Sequence, residues 1–505
     1  MSSNTTRRAL TAGIGAITLR PSLAVGAAPS KLEFGAARSF SFDALKHRAR
    51  QMAAAAYKAP AAGEGALLQA IDYDANGQIL YRPELALWAD VPGAQAVRFF
   101  PLSRRFRERV QIHVVEAGQA RELIYRPDLF RLPDDSPLRR LKTGGFAGFR
   151  VMNGRSGSDW LAFLGASYFR ASGPFDQYGA SARGLSIDTG QPTPEEFPRF
   201  TAFWLERLPD AGVRAYALLD SPSVAGAYRI DNRQTPAGPV QEIQAELHFR
   251  RGVANLGLMP LTSMYWRGPT DGAEGPQAQV HDSDGLELWT GRGERIWRPL
   301  NDPPRPTLNS FLDQAPRGFG LIQRDRDAGD YQAAPLFYAK RPSVWVEPLT
   351  PLGKGAVRLL ELPTARDSDD NIGAFWTPAR APEAGTSLAL SYRLRWCDDA
   401  PPIAPLGRIL ATHVSPNGPA GRFNIAIDVQ GPALEGLSDA NAPEAKIDCS
   451  PGVVDRIVTT RGAGEGAWRI AFDLTAPLGH TVDLRAYLRR ADQTLSETWL
   501  YQLQA

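Results

Sequence analysis

A chain of 505 residues exceeds what one hydrophobic core usually serves, so two domains are expected, and a 43% hydrophobic share is that of a globular protein. Its 57 basic and 54 acidic residues nearly cancel, and three arginines (Arg7, Arg8, Arg20) fall in the first thirty positions with no acid beside them. That balance lacks the basic footprint of a nucleic-acid or anionic-membrane protein, and no eighteen-residue apolar run offers a membrane span.

The chain opens with a twin-arginine pattern, Thr6-Arg7-Arg8-Ala9-Leu10, then a short apolar segment and small residues near Ala27 and Ala28. Residues 1–28 are therefore predicted to be an export signal that directs the chain to the periplasm. Ser41-Phe42-Asp43 caps the clearest predicted helix, Ala44 to Tyr57. Short strands then take over. Val110 to Val115 and Arg121 to Tyr125 flank a hairpin turn, followed by Gly148 to Met152, Val213 to Leu219, Ala227 to Asp231, Glu242 to Arg250 and Gly355 to Leu362. Helical periodicity returns only over Pro194 to Leu208. The 47 glycines and 41 prolines support the same reading, a mainly β chain built as a large antiparallel β-sandwich.

A linker-like run, Pro378 to Gly385, sets the expected boundary between residues 29–380 and 381–505. The second part carries strand patterns at Ser387 to Cys397, Arg408 to His413, Arg422 to Val429, Val453 to Thr459, Trp468 to Leu474, Thr481 to Leu488 and Glu497 to Leu503. Its length and strand count fit an immunoglobulin-like sandwich. The only cysteines, Cys397 and Cys449, rule out a zinc cluster; a disulfide and two free thiols both remain open.

Two stretches concentrate chemistry. His281 to Leu300, HDSDGLELWTGRGERIWRPL, mixes acids, arginines and tryptophans, and Asp367 to Pro378, DSDDNIGAFWTP, sets three acids before an aromatic pair. Carboxyls transfer protons, arginines tune them, and aromatic rings cover the C–H faces of sugars, so the mixture suits carbohydrate chemistry. A salt-bridged hairpin has the same composition. Tyr265, Trp266, Trp289, Trp297, Tyr338 and Trp376 are candidate sugar platforms, half of them expected to be core, and Arg292 and Asp367 are candidate sugar contacts. His281 could orient Asp282, but a structurally satisfied histidine is the commoner case. No GxSxG or HExxH occurs, the Asp282–Gly285 run lacks the rest of a calcium loop, and neither metal nor cofactor is expected.

Together with Phe42–Leu45, Ile71–Tyr73, Gly148–Val151 and Leu164–Phe169, the segments His281–Leu286 and Asp370–Ile372 resemble the glucans biosynthesis protein G and D family of the osmoregulated periplasmic glucan pathway. The twin-arginine start leans to the D type. The resemblance implies a large β-sandwich joined to an immunoglobulin-like one, a β-1,2-linked glucan as ligand, and inverting cleavage or transglycosylation, with Asp370 as general acid and Asp282 as base. A non-catalytic glucan-binding or scaffolding role in the same pathway is the alternative. The glucan-synthesis machinery, or a second copy of the chain, is a further expected partner.

Overall fold

The computed structural model describes residues 31–60, 65–141, 144–154, 157–268, 279–331, 336–401 and 405–505; the twin-arginine segment lies outside them. Most predicted strands form at nearly the expected bounds, as Phe146–Met152, Val213–Asp220, Val224–Arg233, Val240–Phe249 and Lys354–Glu361. The hairpin Gln111–Glu116 and Gln119–Glu122 turns through Ala117 and Gly118, with φ of 48° and 73°. Such a left-handed pair matches a tight turn to the twist of its strands.

The predicted helix spans Phe42–Ala54, and the Ser41 hydroxyl accepts the Ala44 N–H at 3.1 Å. Leu45 and Ala49, four residues apart, bury one stripe against Trp204, Tyr216 and Ala227. At the other end Ala55 turns extended and Arg250 donates to the Met52 carbonyl at 2.8 Å, which stops the helix short of Tyr57. This helix also explains why Pro194 to Leu208 misleads. The stretch holds the strand Arg199–Arg207, with Phe203 and Leu205 in the main core and Trp204 under the helix. Cover on both faces erases the period-two signal.

Among the described residues a 16-stranded sheet faces a 10-stranded one. Phe149 and Phe163 of the smaller sheet meet Phe203 and Phe200 of the larger at centroid distances of 5.1 and 6.5 Å, forming an aromatic core. The chain is thus mainly β, built of stacked, mostly antiparallel sheets. Strand Ser387–Cys397 lies inside the larger sheet, paired with Val240–Phe249 on one side and Ser343–Pro348 on the other. The expected division at residues 380 and 381 therefore cuts through that sheet. Proline and glycine mark an irregular connection there, and composition alone does not separate a crossover from an interdomain linker.

A second core follows. The sheet of Arg408–Pro416, Arg422–Gln430, Ala467–Thr475 and Val453–Arg461 packs over Glu444–Ser450, Thr481–Arg490 and Thr498–Gln504, burying Ile425, Ile427, Phe472, Leu484 and Trp499. Strand Thr498–Gln504 pairs in parallel with Arg295–Pro299, so one sheet runs through both sandwiches and residues 32–505 form one compact unit. Cys397 and Cys449 stand unpaired. Among the described residues no helix is long and apolar enough to cross a membrane.

Candidate active site: two carboxyls fixed by one strand end

The strand Leu256–Ser263 and the residues just beyond it hold both acidic stretches. Asp282 donates its N–H to the Met264 carbonyl at 2.8 Å, and the Ser263 and Ser283 hydroxyls are 2.9 Å apart. On the other side Ile372–Pro378 pairs with the same strand, and Asn371 clips its end. The Asn371 amide accepts from the Tyr265 N–H at 2.9 Å and donates to the Tyr265 and Leu362 carbonyls at 2.8 Å. Asn371 thus closes a ladder with its side chain, and its neighbour Asp370 is held beside the segment that carries Asp282.

The two carboxyls differ in their surroundings. Asp282 is buried and receives a hydrogen bond from the Arg341 guanidinium. Burial pushes its carboxyl up to about 6; Arg341 pulls it down, and the negative charge of Asp370 adds to the rise. Asp370 reaches solvent from a recess crowded by protein. Desolvation there raises its carboxyl above the usual range, against the pull of Arg105 and Arg170. Arg170 also acts on Asp282, so both carboxyls and this arginine share one field. Among the described residues no ion pair or hydrogen bond reaches the Asp370 carboxylate.

Arg341 is positioned by the turn Tyr338–Lys340, which starts from Phe337 in a left-handed conformation, φ 48°. Its guanidinium lies 4.1 Å from the centre of the Tyr338 ring, and Arg326 donates to the Ala339 and Arg341 carbonyls at 2.9 and 2.6 Å. Gly173 packs against this turn so closely that a Cβ would sit 2.6 Å from Pro342 Cβ. The Tyr338 hydroxyl donates to Asp367 at 3.2 Å and feels the Asp282 charge, so Tyr338 spans the space between the two acidic stretches.

Of the residues singled out from the sequence, Asp282, Asp370, Asp367 and Tyr338 come together. Tyr265 is buried behind them, its ring stacked on His281 at 5.4 Å, while half-buried Trp266 has Arg267 over its ring at 4.5 Å. The others do not join. Trp376 is fully buried in the main core and Trp297 in the second, leaving neither a face for a sugar. Trp289 ends the strand Gly285–Trp289, with Arg295 and Arg317 each 5.3 Å from its ring, and Arg292 is exposed in the turn beyond it. Seven residues of chain, five of them extended, carry Trp289 away from Asp282, roughly 20 Å at about 3.3 Å per residue.

The remaining charges of that stretch are structural. Arg295 and Arg324 both pair with buried Glu287, and Arg324 reaches Glu497 at 2.8 Å while lying 3.7 Å from the Trp297 ring centre. Arg298 pairs with buried Glu361 at 3.0 Å. Arg295 and Arg298 are thus committed to other carboxylates, and the cation at Asp282 is Arg341, which no motif marks in an arginine-rich chain. Arg105 and Arg170 were equally silent.

Fold and site define a mainly β protein of stacked sheets with a pair of perturbed carboxyls at the end of one strand. Residues 40–503 match the family model described as periplasmic glucan biosynthesis protein, MdoG. Glucans biosynthesis protein D 2 of Ralstonia nicotianae is 44% identical, covering 98% of this chain and 95% of that protein. The glucans biosynthesis proteins D of Stenotrophomonas maltophilia and Xanthomonas axonopodis pv. citri are 43% and 42% identical, each over 93% of this chain and over 90% and 91% of their own. The chain belongs to the MdoG family of periplasmic glucan biosynthesis proteins, as the sequence segments imply, and among its relatives it resembles the D type, to which the twin-arginine start leans.

Proposed function

We propose that the chain acts in the periplasm in the biosynthesis of osmoregulated glucans, shaping the glucose backbone by inverting cleavage or transglycosylation of β-1,2-linked glucan. The observation that carries this is the asymmetric carboxyl pair. Asp370 is raised by desolvation and, among the described residues, has no cation bonded to it, which suits a group that must hold a proton; Asp282 is paired with Arg341, which favours its ionised form near neutral pH.

In this reading Asp370 gives its proton to the glycosidic oxygen as the bond to the anomeric carbon breaks. Asp282 takes a proton from the water, or from the sugar hydroxyl, that attacks the same carbon from the opposite face, and the configuration inverts. Water gives hydrolysis and a hydroxyl gives transfer. Asp367 and Tyr338 contact the sugar or order the attacking group between the two acids. Half-buried Trp266 is the remaining aromatic platform beside them.

The test is a product assay on linear β-1,2-glucan, with the anomer of the newly formed end followed by nuclear magnetic resonance before it equilibrates. The α configuration, or an α-linked transfer product, is expected. A β product overturns inversion, and tight glucan binding with no product returns the chain to the scaffolding reading. Export is tested separately: replacing Arg7 and Arg8 by Lys is expected to leave the chain inside the cell, and unchanged periplasmic yield contradicts it.

A further inference from the structure

Directly behind Asp282 lies a buried polar chain that the reaction does not use. His281 is fully buried, with Nδ1 3.0 Å from Gln323 Oε1 and Nε2 2.9 Å from Gln279 Oε1. Neutral imidazole has one N–H and can satisfy only one of two acceptors. The usual remedy, turning a glutamine amide over, is opposed at both glutamines. Gln323 Nε2 donates to the Tyr331 hydroxyl at 2.9 Å and faces the Tyr338 carbonyl at 3.3 Å and the His281 carbonyl at 3.5 Å; the reversed amide would set its oxygen against both carbonyls and could take only the Tyr331 O–H, drawn from the Asp325 carbonyl 3.2 Å away. Gln279 Nε2 donates to Asp325 Oδ2 at 2.8 Å, and reversal would put its oxygen against a carboxylate. Asp325 also accepts the Asp327 N–H at 3.0 Å and is only half-buried. With both amides as they stand, a neutral His281 leaves one glutamine oxygen facing a bare ring nitrogen, at a cost typical of a lost hydrogen bond or more.

We propose that His281 carries both ring protons, as an imidazolium balanced by Asp325 through Gln279, and that this doubly anchored ring is a positioning residue for the adjacent Asp282. The Tyr265 ring lies over it at 5.4 Å and 16°, an arrangement that favours a cation, and Tyr331 meets it edge-on at 5.2 Å. Opposing the charge are burial, which pushes the imidazole down to about 4, and the Arg341 guanidinium; favouring it are the Gln323 bond and Asp325. The hydrogen-bond geometry weighs for it, because with the amides as they stand losing the second proton leaves one glutamine oxygen without a donor. The consequence reaches the cleft along the backbone, since the residue after His281 is the one that Met264 and Arg341 hold.

The role of His281 rests on Asp282 being the base, whereas its proton does not, so the test has two arms. In whole protein with 15N-labelled histidine rings, both His281 nitrogens are expected to carry protons at pH 7; one bare nitrogen overturns the proposal. For function, Asp325→Asn removes the balancing charge and Asp325→Glu keeps it. Asp325→Asn is expected to strip one proton from His281 and lower turnover on linear β-1,2-glucan about tenfold with KM little changed, as small misplacements of reacting groups do. Asp325→Glu is expected to keep both the proton and the turnover. A fully active Asp325→Asn with a neutral His281 overturns the positioning role. Absence of turnover in the unsubstituted protein speaks against the reading of the cleft, and the nitrogen measurement still tests the proton.

Discussion

The cleft around Asp282 and Asp370 and the seam around Arg324 draw on the same twenty residues of sequence and use charge in opposite ways. In the seam each buried carboxylate has its cation: Glu287 holds Arg295 and Arg324, Glu497 holds Arg324, and Glu361 holds Arg298. Burial pushes Glu497 up, but the Arg324 charge and hydrogen bonds more than offset it, so its carboxyl falls below the usual range. In the cleft burial wins, and both Asp282 and Asp370 stay above theirs. A paired network stabilises one geometry, whereas an under-paired couple keeps protons available. Counting partners distinguishes the two regions where composition does not.

The comparison breaks most visibly in the seam. Replacing Arg324 by Met leaves Glu287 and Glu497 buried with too few cations, and a loss of about 3–5 kcal/mol in urea unfolding is expected. A change under about 1 kcal/mol would mean that the seam is no more than an exposed ion pair. In the cleft the sign reverses. The folded carboxyl of Asp282 lies near 6 against an ordinary 3.8, so the folded state binds that proton more tightly. Its contribution to stability is full below about pH 4 and is lost as pH rises through about 6, amounting to about 3 kcal/mol by pH 7. Asp282→Asn should flatten this fall relative to the unsubstituted protein; parallel curves between pH 4 and 7 would contradict it.

Arg341 sharpens the contrast from inside the cleft. Without its guanidinium Asp282 loses the charge that holds it down, so Arg341→Gln is expected to move the acid limb of the pH–rate profile upward and lower turnover at pH 7 about tenfold. An unmoved limb would mean that Arg341 serves the fold alone. The smallest effect belongs to a residue that only looks functional. Trp289→Ala, at the seam, should leave turnover within about twofold, since Trp289 packs against Arg295 and Arg317 rather than sugar.

Strand positions were legible because alternation survives wherever one face meets solvent or loop, as in Arg422–Gln430 and Thr481–Arg490. It failed where both faces are covered, at Arg199–Arg207, and it said nothing about which strands pair, so Ser387–Cys397 was expected in the second sandwich rather than the large sheet. In the site, the acidic stretches could be read because their residues are local and of unusual composition. Arg341, Gln279 and Gln323 could not. Arg341 lies fifty-nine positions from Asp282 in sequence, and glutamines become informative only when their hydrogen-bond directions are seen. Trp376 and Trp297 misled for the complementary reason, that a tryptophan beside acids in sequence can still face the opposite side of its strand.

The central claim is that the cleft carboxyls move protons rather than only bind glucan. It is tested most directly by turnover and affinity of Asp370→Asn and Asp282→Asn on linear β-1,2-glucan, with folding checked by thermal melting. Each variant is expected to lose about 100-fold or more in turnover while binding glucan much as before. Near-unchanged turnover in both would contradict the account.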